Sequence, residues 1–362
     1  MSSSTALIES PAALEDLAGR LDGEALALDT EFLRERTYRA ELCLLQLASS
    51  RESVCVDPLA LGDLGPLRAA LCAGGPVKIL HAGRQDLEVL APVIGTVAPL
   101  FDTQIAAALA GFPAQVGYAE LVRRLLDREL PKGQTRTDWS RRPLTPEQIE
   151  YALDDVRYLH ALRDRLSSEL ARLHREAWLK EDLEGLHDPK LLVVDPDKAW
   201  QRFKGTQGWD DGRMTLLREL AAWRERRAMS KNRPRGWILD DSVLREIVQR
   251  VPRDREALAQ VPEIPDGVVK HSGDEILGLV EAARIDHPPP PLPRRERPDP
   301  ALLARTKRLS QVVQAAAQEL SIAPEVLATR KDLEDIARGD DAADTLCGWR
   351  AELLADRLRA AL

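Results

Sequence analysis

Cysteine is scarce, with four in 362 residues (Cys43, Cys55, Cys72 and Cys347) and no two of them at CxxC spacing. That gives no sign of a zinc site or a disulfide framework, and it makes a reducing cytoplasm the expected compartment. Aromatic residues make up only 4% of the chain, so its cores must be built mainly from leucine, alanine and valine. Long apolar runs are missing too. The charge-free run Leu90 to Phe101 is well short of the roughly 20 residues that a membrane-spanning helix needs. The opening stretch MSSSTALIESPAALEDL lacks a basic region followed by an apolar one, so neither secretion nor membrane insertion is expected. Nor is positive charge in excess. The 51 basic and 59 acidic residues leave a net charge of −8, which argues against retention on nucleic acid or membrane by bulk charge and leaves such binding to local patches. Arginine accounts for 41 of the basic residues, a bias that suits forked contacts to phosphate and that a GC-rich genome would also produce. No GxxxxGK[ST] loop, GxSxG elbow or HExxH helix occurs, so an ATP motor and the common hydrolase and metalloprotease classes lack their motifs.

What is present is an ordinary globular composition, 44% apolar and 30% charged, and a length that predicts two or three domains. Up to about residue 170, strand and helix signals alternate. Ala25 to Asp29, Leu42 to Ala48, Ser53 to Val56 and Val77 to His81 are short β-rich runs bounded by turn or polar residues. The first three are close enough to form a meander and the fourth follows a helical segment, which predicts a mixed sheet with helices on its faces. Beyond residue 205 the periodicity is helical, over Leu216 to Arg227, Asp241 to Arg250, Asp254 to Gln260 and Asp274 to Ala283. His287 to Pro300 holds seven prolines in fourteen residues; it predicts a stiff spacer, with a PxxP ligand as the rarer use of such a composition. Helical periodicity returns from Pro300 to Leu362, broken at Ala323-Pro324-Glu325 and Arg338-Gly339-Asp340.

Several features carry chemistry. Asp29-Thr30-Glu31 follows the apolar run ALAL at an expected strand end. Side chains at i and i+2 leave one face about 7 Å apart, so two carboxylates there repel each other unless a cation lies between them; an Asp-x-Glu facing water is the plainer use of that pattern. Thr145-Pro146-Glu147-Gln148 has capping-box spacing and starts a helix. On that helix Tyr151 and Asp155 stand four apart on one face, able to serve one site or to lie at the surface as Asp154 does. Between these features, the strand VKIL leads through His81-Ala82-Gly83-Arg84-Gln85 into a helix that starts near Asp86, where an acid also complements the helix dipole. An all-carboxylate set suits Mg²⁺ or Mn²⁺ and not Zn²⁺ or copper.

In this order the motifs resemble the DEDD-type 3′→5′ exonucleases, in the subgroup whose third motif is Tyr-x-x-x-Asp, and within it the ribonuclease D family. ALALDTEFLRERTYRAELCLLQLAS is similar to the first motif and its hairpin, VKILHAGRQDLEVL to the second and RTDWSRRPLTPEQIEYALDDVRYL to the third, with no departure at the five motif positions. The stretch LRELAAWRERRAMSKNRPRGWILDDSVLREIVQRVP is similar to an HRDC helical module, a nucleic-acid-binding bundle, and the last 60 residues resemble a divergent second copy. The resemblance implies a multidomain chain. Residues 1–175 would form an α/β ribonuclease-H-like exonuclease domain, 176–206 a connector and 207–286 an HRDC module. Residues 287–299 would be a proline-rich linker and 300–362 a second all-α HRDC-like module. It further implies that Asp29, Glu31, Asp86 and Asp155 hold two Mg²⁺ or Mn²⁺ ions, with Asp29 bridging, and that Tyr151 orients a water. Hydrolysis would trim RNA 3′ ends, tRNA precursors being the substrate the family implies, releasing 5′-mononucleotides without ATP. His81 and Gln85 stand near the acids, with core or supporting roles equally open to them.

Lys132, Arg136, Trp139 and Arg142, in KGQTRTDWSRR, are candidates for contact with phosphate and for stacking on a base, with Trp139 alternatively packing the loop onto the core. Arg213 to Arg235 carries eight basic residues against Glu219 and Glu225, which favours phosphate unless the charges pair along a solvated face. A DNA exonuclease of the same chemistry and a non-catalytic nucleic-acid-binding protein are the competing readings.

Overall fold

Seven of the eight residues of ELCLLQLA are buried, so this strand does not alternate and must be covered on both faces. The computed structural model, which describes residues 7–21, 23–131, 137–186, 194–206, 208–285 and 300–362, places it in the middle of a six-stranded sheet. The strands are β1 (Leu7–Ile8), β2 (Ala25–Leu33), β3 (Glu41–Ala48), β4 (Ser53–Val56), β5 (Val77–Leu80) and β6 (Leu100–Asp102), in the order β1-β4-β3-β2-β5-β6. β3 and β4 pair antiparallel, whereas β1 runs parallel to β4, and β5 parallel to both β2 and β6. The sheet is mixed, as the sequence predicts. β1 and β6 are additional: two and three residues long, they are too short to show a period. A second difference concerns β2. It continues through Leu33, so Asp29-Thr30-Glu31 lies inside the strand and not at its end; the apolar Phe32 and Leu33 that follow the acids carry the extended chain onward.

The chain divides into two compact units, one holding residues 1–33, 42–192 and 298–362, the other 34–41 and 193–297. In the first, the expectation that a spacer holds residues 300–362 away as a separate module is corrected. Leu309 and Val313 from the helix Pro300–Leu320, Leu333 and Ile336 from Arg330–Arg338, and Leu354 and Leu358 from Gly348–Arg359 join one apolar core with Leu109, Leu166, Leu179 and Leu183. The helix Glu176–Leu186, expected as a connector, supplies the seam. Trp178 stacks on Trp349 with ring centroids 4.4 Å apart and planes 6° from parallel. The Trp349 indole N–H donates to Asp182 (3.0 Å), and Arg350 forks onto the same carboxylate at 2.6 and 2.9 Å. Arg175, buried beside them, donates to the carbonyl oxygens of Leu109 (2.6 Å) and Leu320 (2.5 Å). The proline-rich residues 287–299 lie outside the described residues.

The second unit is helical. Its centre is the helix Asp211–Lys231, against which a 3₁₀ segment (Pro196–Arg202) and the helices Asp241–Arg250 and Asp266–Ile285 pack. Leu216, Leu220, Leu244, Ile247 and Ile276 form its core. Ala199 and Phe203 belong to that core as well, so the described part of 194–206 is an element of the bundle and not a connector. Within it the Tyr38 phenol donates to the buried Glu225 at 2.5 Å. No helix among the described residues is long and apolar enough to cross a membrane.

Because Trp349 fills a shared core, Trp349→Ala is expected to cost about 3–5 kcal/mol. Urea unfolding followed by circular dichroism measures this. A loss under 1 kcal/mol would mean that residues 300–362 are not integral to the first unit.

Candidate active site

The site is assembled from three elements. β2 contributes Asp29 and Glu31, which share one side of the strand by its period of two. The helix Arg84–Leu90, packed on β2, brings Asp86 in its first turn. The helix Pro146–Arg157, also packed on β2, carries Tyr151 and Asp155. Its start is fixed as its sequence predicts: the Gln148 N–H donates to Thr145 Oγ1 (3.2 Å) and the Thr145 N–H to Gln148 Oε1 (2.8 Å). Its end is fixed by Tyr118, whose phenol donates to the carbonyl of Asp154 (2.9 Å) and accepts from the N–H of Tyr158 (3.2 Å). Asp155 therefore sits on a helix tied down at both ends.

The electrostatics tie the five predicted residues to one spot. Burial, then repulsion from Asp86, Asp155 and Glu31, pushes Asp29 well above the usual carboxylate range. Glu31 is pushed up to about 8 by burial and by Asp155 and Asp86. Asp155 rises to about 7 through burial and Asp154, and Asp86 to about 6 through burial, opposed by a hydrogen bond from Thr30. Tyr151 is pushed up to about 12 by burial and by the charges of Asp155, Glu31 and Asp29. Among the described residues, no cation is found acting on the four acids. Crowded, partly buried charge without a partner is costly, so this cluster favours a bound cation, and its oxygen-only donors fit a hard divalent ion. No three acid, imidazole or thiol groups among the described residues already form a ready metal-binding group. The acids are neighbours by charge, with Asp86 turned onto the Thr30 hydroxyl at 2.5 Å.

Two supporting residues escape sequence reasoning. Thr30 is one, since nothing in its neighbourhood signals a partner 56 residues away. Asp102 is the other: buried, it accepts from the N–H groups of Ala82 (3.2 Å), Gly83 (2.8 Å), Gln104 (2.8 Å) and Ile105 (3.2 Å), shaping the turn that leads into Asp86. An Asp-Thr pair ahead of an apolar run is an N-cap signal and could have flagged it. His81 is occupied by the fold, its Nε2 donating to the Val116 carbonyl (3.0 Å) and its Nδ1 lying 2.9 Å from Thr103 Oγ1; Gln85 is exposed.

The substrate contacts expected just upstream of the Tyr151 helix are corrected where they are described. Trp139 is buried, 5% exposed, and packs into a core with Cys43, Cys55 and Leu144, so it offers no face to a base. The Arg142 fork is consumed by Asp57 (2.6 and 2.8 Å) and by the carbonyls of Cys43 and Trp139 (2.7 Å each). Lys132 and Arg136 lie outside the described residues.

The raised carboxyl groups have a consequence for stability. Folded pKa values above the ordinary 3.8–4.5 mean that the native state binds more protons than the unfolded one between about pH 4 and 8, so stability falls as pH rises through that window. In chelator, the unfolding temperature is expected to drop from pH 5 to pH 8. Asp29→Asn, which removes one of the raised carboxyl groups, is expected to lessen that drop. Added Mn²⁺ should raise the wild-type transition at pH 8 and leave the variant little changed, as calorimetry would show.

A family model described as a 3′-5′ exonuclease matches residues 5–171, and one described as an HRDC domain matches residues 213–280. Ribonuclease D of Gluconacetobacter diazotrophicus is 41% identical over 356 residues, covering 94% of this chain and 89% of that protein. Ribonuclease D of Jannaschia sp. is 40% identical over 348 residues, covering 92% and 89%. Among solved structures, Escherichia coli RNase D, described as an exoribonuclease involved in structured RNA processing, superposes with a TM-score of 0.87 at 30% identity over 98% of both chains. The chain thus belongs to the ribonuclease D family and is a 3′→5′ exoribonuclease.

Proposed function

We propose that this protein trims structured RNA from the 3′ end, tRNA precursors among its substrates, and releases 5′-mononucleotides by hydrolysis at Asp29, Glu31, Asp86, Tyr151 and Asp155. The observation that carries this reading is the set of crowded carboxylates on which no cation among the described residues acts, gathered beside one phenol. Exonucleases of this type depend on divalent metal. Two Mg²⁺ or Mn²⁺ ions, held by Asp29, Glu31, Asp86 and Asp155, would supply the Lewis acidity that an in-line phosphoryl displacement requires. The chain's own part is binding and orientation. Tyr151, gathered beside these acids, would serve as a hydrogen-bond partner that orients the attacking water. Water attacks the terminal phosphorus, the bond to the 3′-oxygen of the preceding nucleotide breaks, and that oxygen takes up a proton.

Recognition of RNA falls partly to the helical unit. There Trp237, 61% exposed, follows Arg233 and Arg235 at the end of the long helix, a base-stacking surface beside phosphate partners.

The test is end-labelled RNA and DNA of matched sequence, resolved nucleotide by nucleotide with and without chelator. The 5′-labelled RNA should shorten stepwise only in the presence of metal, while DNA should be degraded more slowly. Asp155→Asn should abolish trimming while leaving the circular dichroism spectrum unchanged. Tyr151→Phe should lose on the order of 10²- to 10⁴-fold in rate and still bind Mn²⁺. Unchanged turnover in Asp155→Asn would overturn the site assignment.

A further inference from the structure

We propose that Arg142 and Trp139 form a positioning relay for Tyr151, in which a guanidinium locked onto Asp57 pins the loop that backs the phenol ring. The inference rests on the reading of Tyr151 as the group that orients the water, and it assigns a function to two residues that touch neither RNA nor metal.

Arg142 ties together three pieces of chain. Its Nε and Nη2 fork onto Asp57 at 2.6 and 2.8 Å, just after β4. The same Nη2 donates to the carbonyl of Cys43 in β3 at 2.7 Å, and Nη1 donates to the carbonyls of Trp139 (2.7 Å) and Arg141 (2.8 Å). Asp57 is itself anchored: it is buried and accepts from the N–H groups of Leu59 (3.0 Å) and Ala60 (3.3 Å). A planar fork can satisfy so many acceptors at once, and an ammonium cannot. The bond to the Trp139 carbonyl carries the lock to the site. The Trp139 indole lies against the Tyr151 ring, with centroids 6.1 Å apart and planes at 25°, within the range of an offset stack. On its other sides the indole packs on Cys43, Cys55 and Leu144, so it is a fixed wall. A tyrosine has two side-chain torsions to settle. With its ring held against this wall, its hydroxyl is aimed before substrate arrives, and a shift of about 1 Å in such a group can cost about 10²-fold in rate.

The experiment is a mutant cycle with a structural readout, made on the full chain. Trp139→Leu should lower kcat roughly 10- to 100-fold with KM for RNA and affinity for Mn²⁺ unchanged, whereas Trp139→Phe, which keeps an aromatic wall, should stay within about threefold. Arg142→Lys should follow Trp139→Leu. In a Tyr151→Phe background neither change should cost more than about twofold further, because the group they position is gone. In parallel, the ¹⁹F resonance of 3-fluorotyrosine at position 151, identified by its loss in Tyr151→Phe, should move in Arg142→Lys toward its place in Trp139→Leu. Multiplicative losses in the double variants, or an unmoved resonance in Arg142→Lys, would overturn the relay. If Tyr151→Phe alone were as active as wild type, the reading of Tyr151 would fail instead, a distinct result. Should Arg142→Lys not fold, the comparison of Trp139→Leu with Trp139→Phe, alone and with Tyr151→Phe, decides by the same criteria.

Discussion

Four carboxylates are crowded in one place, Asp86 buried and the others partly so, and among the described residues the charges that act on them are those of other acids. The elements around them hold them in place against their repulsion. The Thr30 hydroxyl holds Asp86, Asp102 gathers four backbone N–H groups around the turn that precedes it, and Tyr118 and the capping box clamp the helix of Asp155. A site made this way is unstable by itself and gains stability by binding what it acts with. That is the common trade between stability and function at an active centre, expressed here as charge that the fold concentrates and does not compensate.

Legibility followed range. The Thr145–Gln148 box and the Tyr151–Asp155 spacing were readable because their causes lie within one or two helical turns. The extension of β2 past its acids was not, since acidic residues ordinarily mark a strand's end. Arg142 was hidden for a different reason, while Trp139 takes the core-packing role that stood as its alternative. A basic loop with an aromatic residue has the composition of a phosphate contact, and only the fold reveals that Asp57, 85 residues earlier, claims the guanidinium. The same residue types serve binding or architecture according to whether an acid waits for them, and a window along the sequence does not contain that acid.

The seam of the first unit makes the same point with apolar residues. The helices of residues 300–362 were visible from their periodicity and their breaks at Pro324 and Gly339, but an apolar stripe does not name the surface that covers it. Their cover is the helix Glu176–Leu186 and its neighbours, joined by Trp178, Trp349 and the Asp182–Arg350 fork. A proline-rich stretch suggests separation, yet chain stiffness between two elements constrains only how the connection runs. Burial decides where they end, and a matched pair of indoles with a charged fork beside them outweighs the spacer.

Charge counting along the long helix of the second unit needs a correction of the same kind. Of the eight basic residues between Arg213 and Arg235, five face acids: Asp210, Asp241, Asp197, Glu275 and Glu225. Four of these acids fall outside that window, so the local excess of positive charge is smaller in space than in sequence. The pairs are not equivalent, however. Arg213–Asp210 and Arg226–Asp197 are exposed on both sides, and exposed ion pairs contribute only about 0–1 kcal/mol, so phosphate can displace the carboxylate at little cost. Arg224 is buried, donates to the carbonyl of Leu239 as well as to Asp241, and lies over the Phe203 ring; exchanging its partner would disturb the core. The exposed pairs thus leave their arginines free to change partners, whereas Arg224 is held by the core.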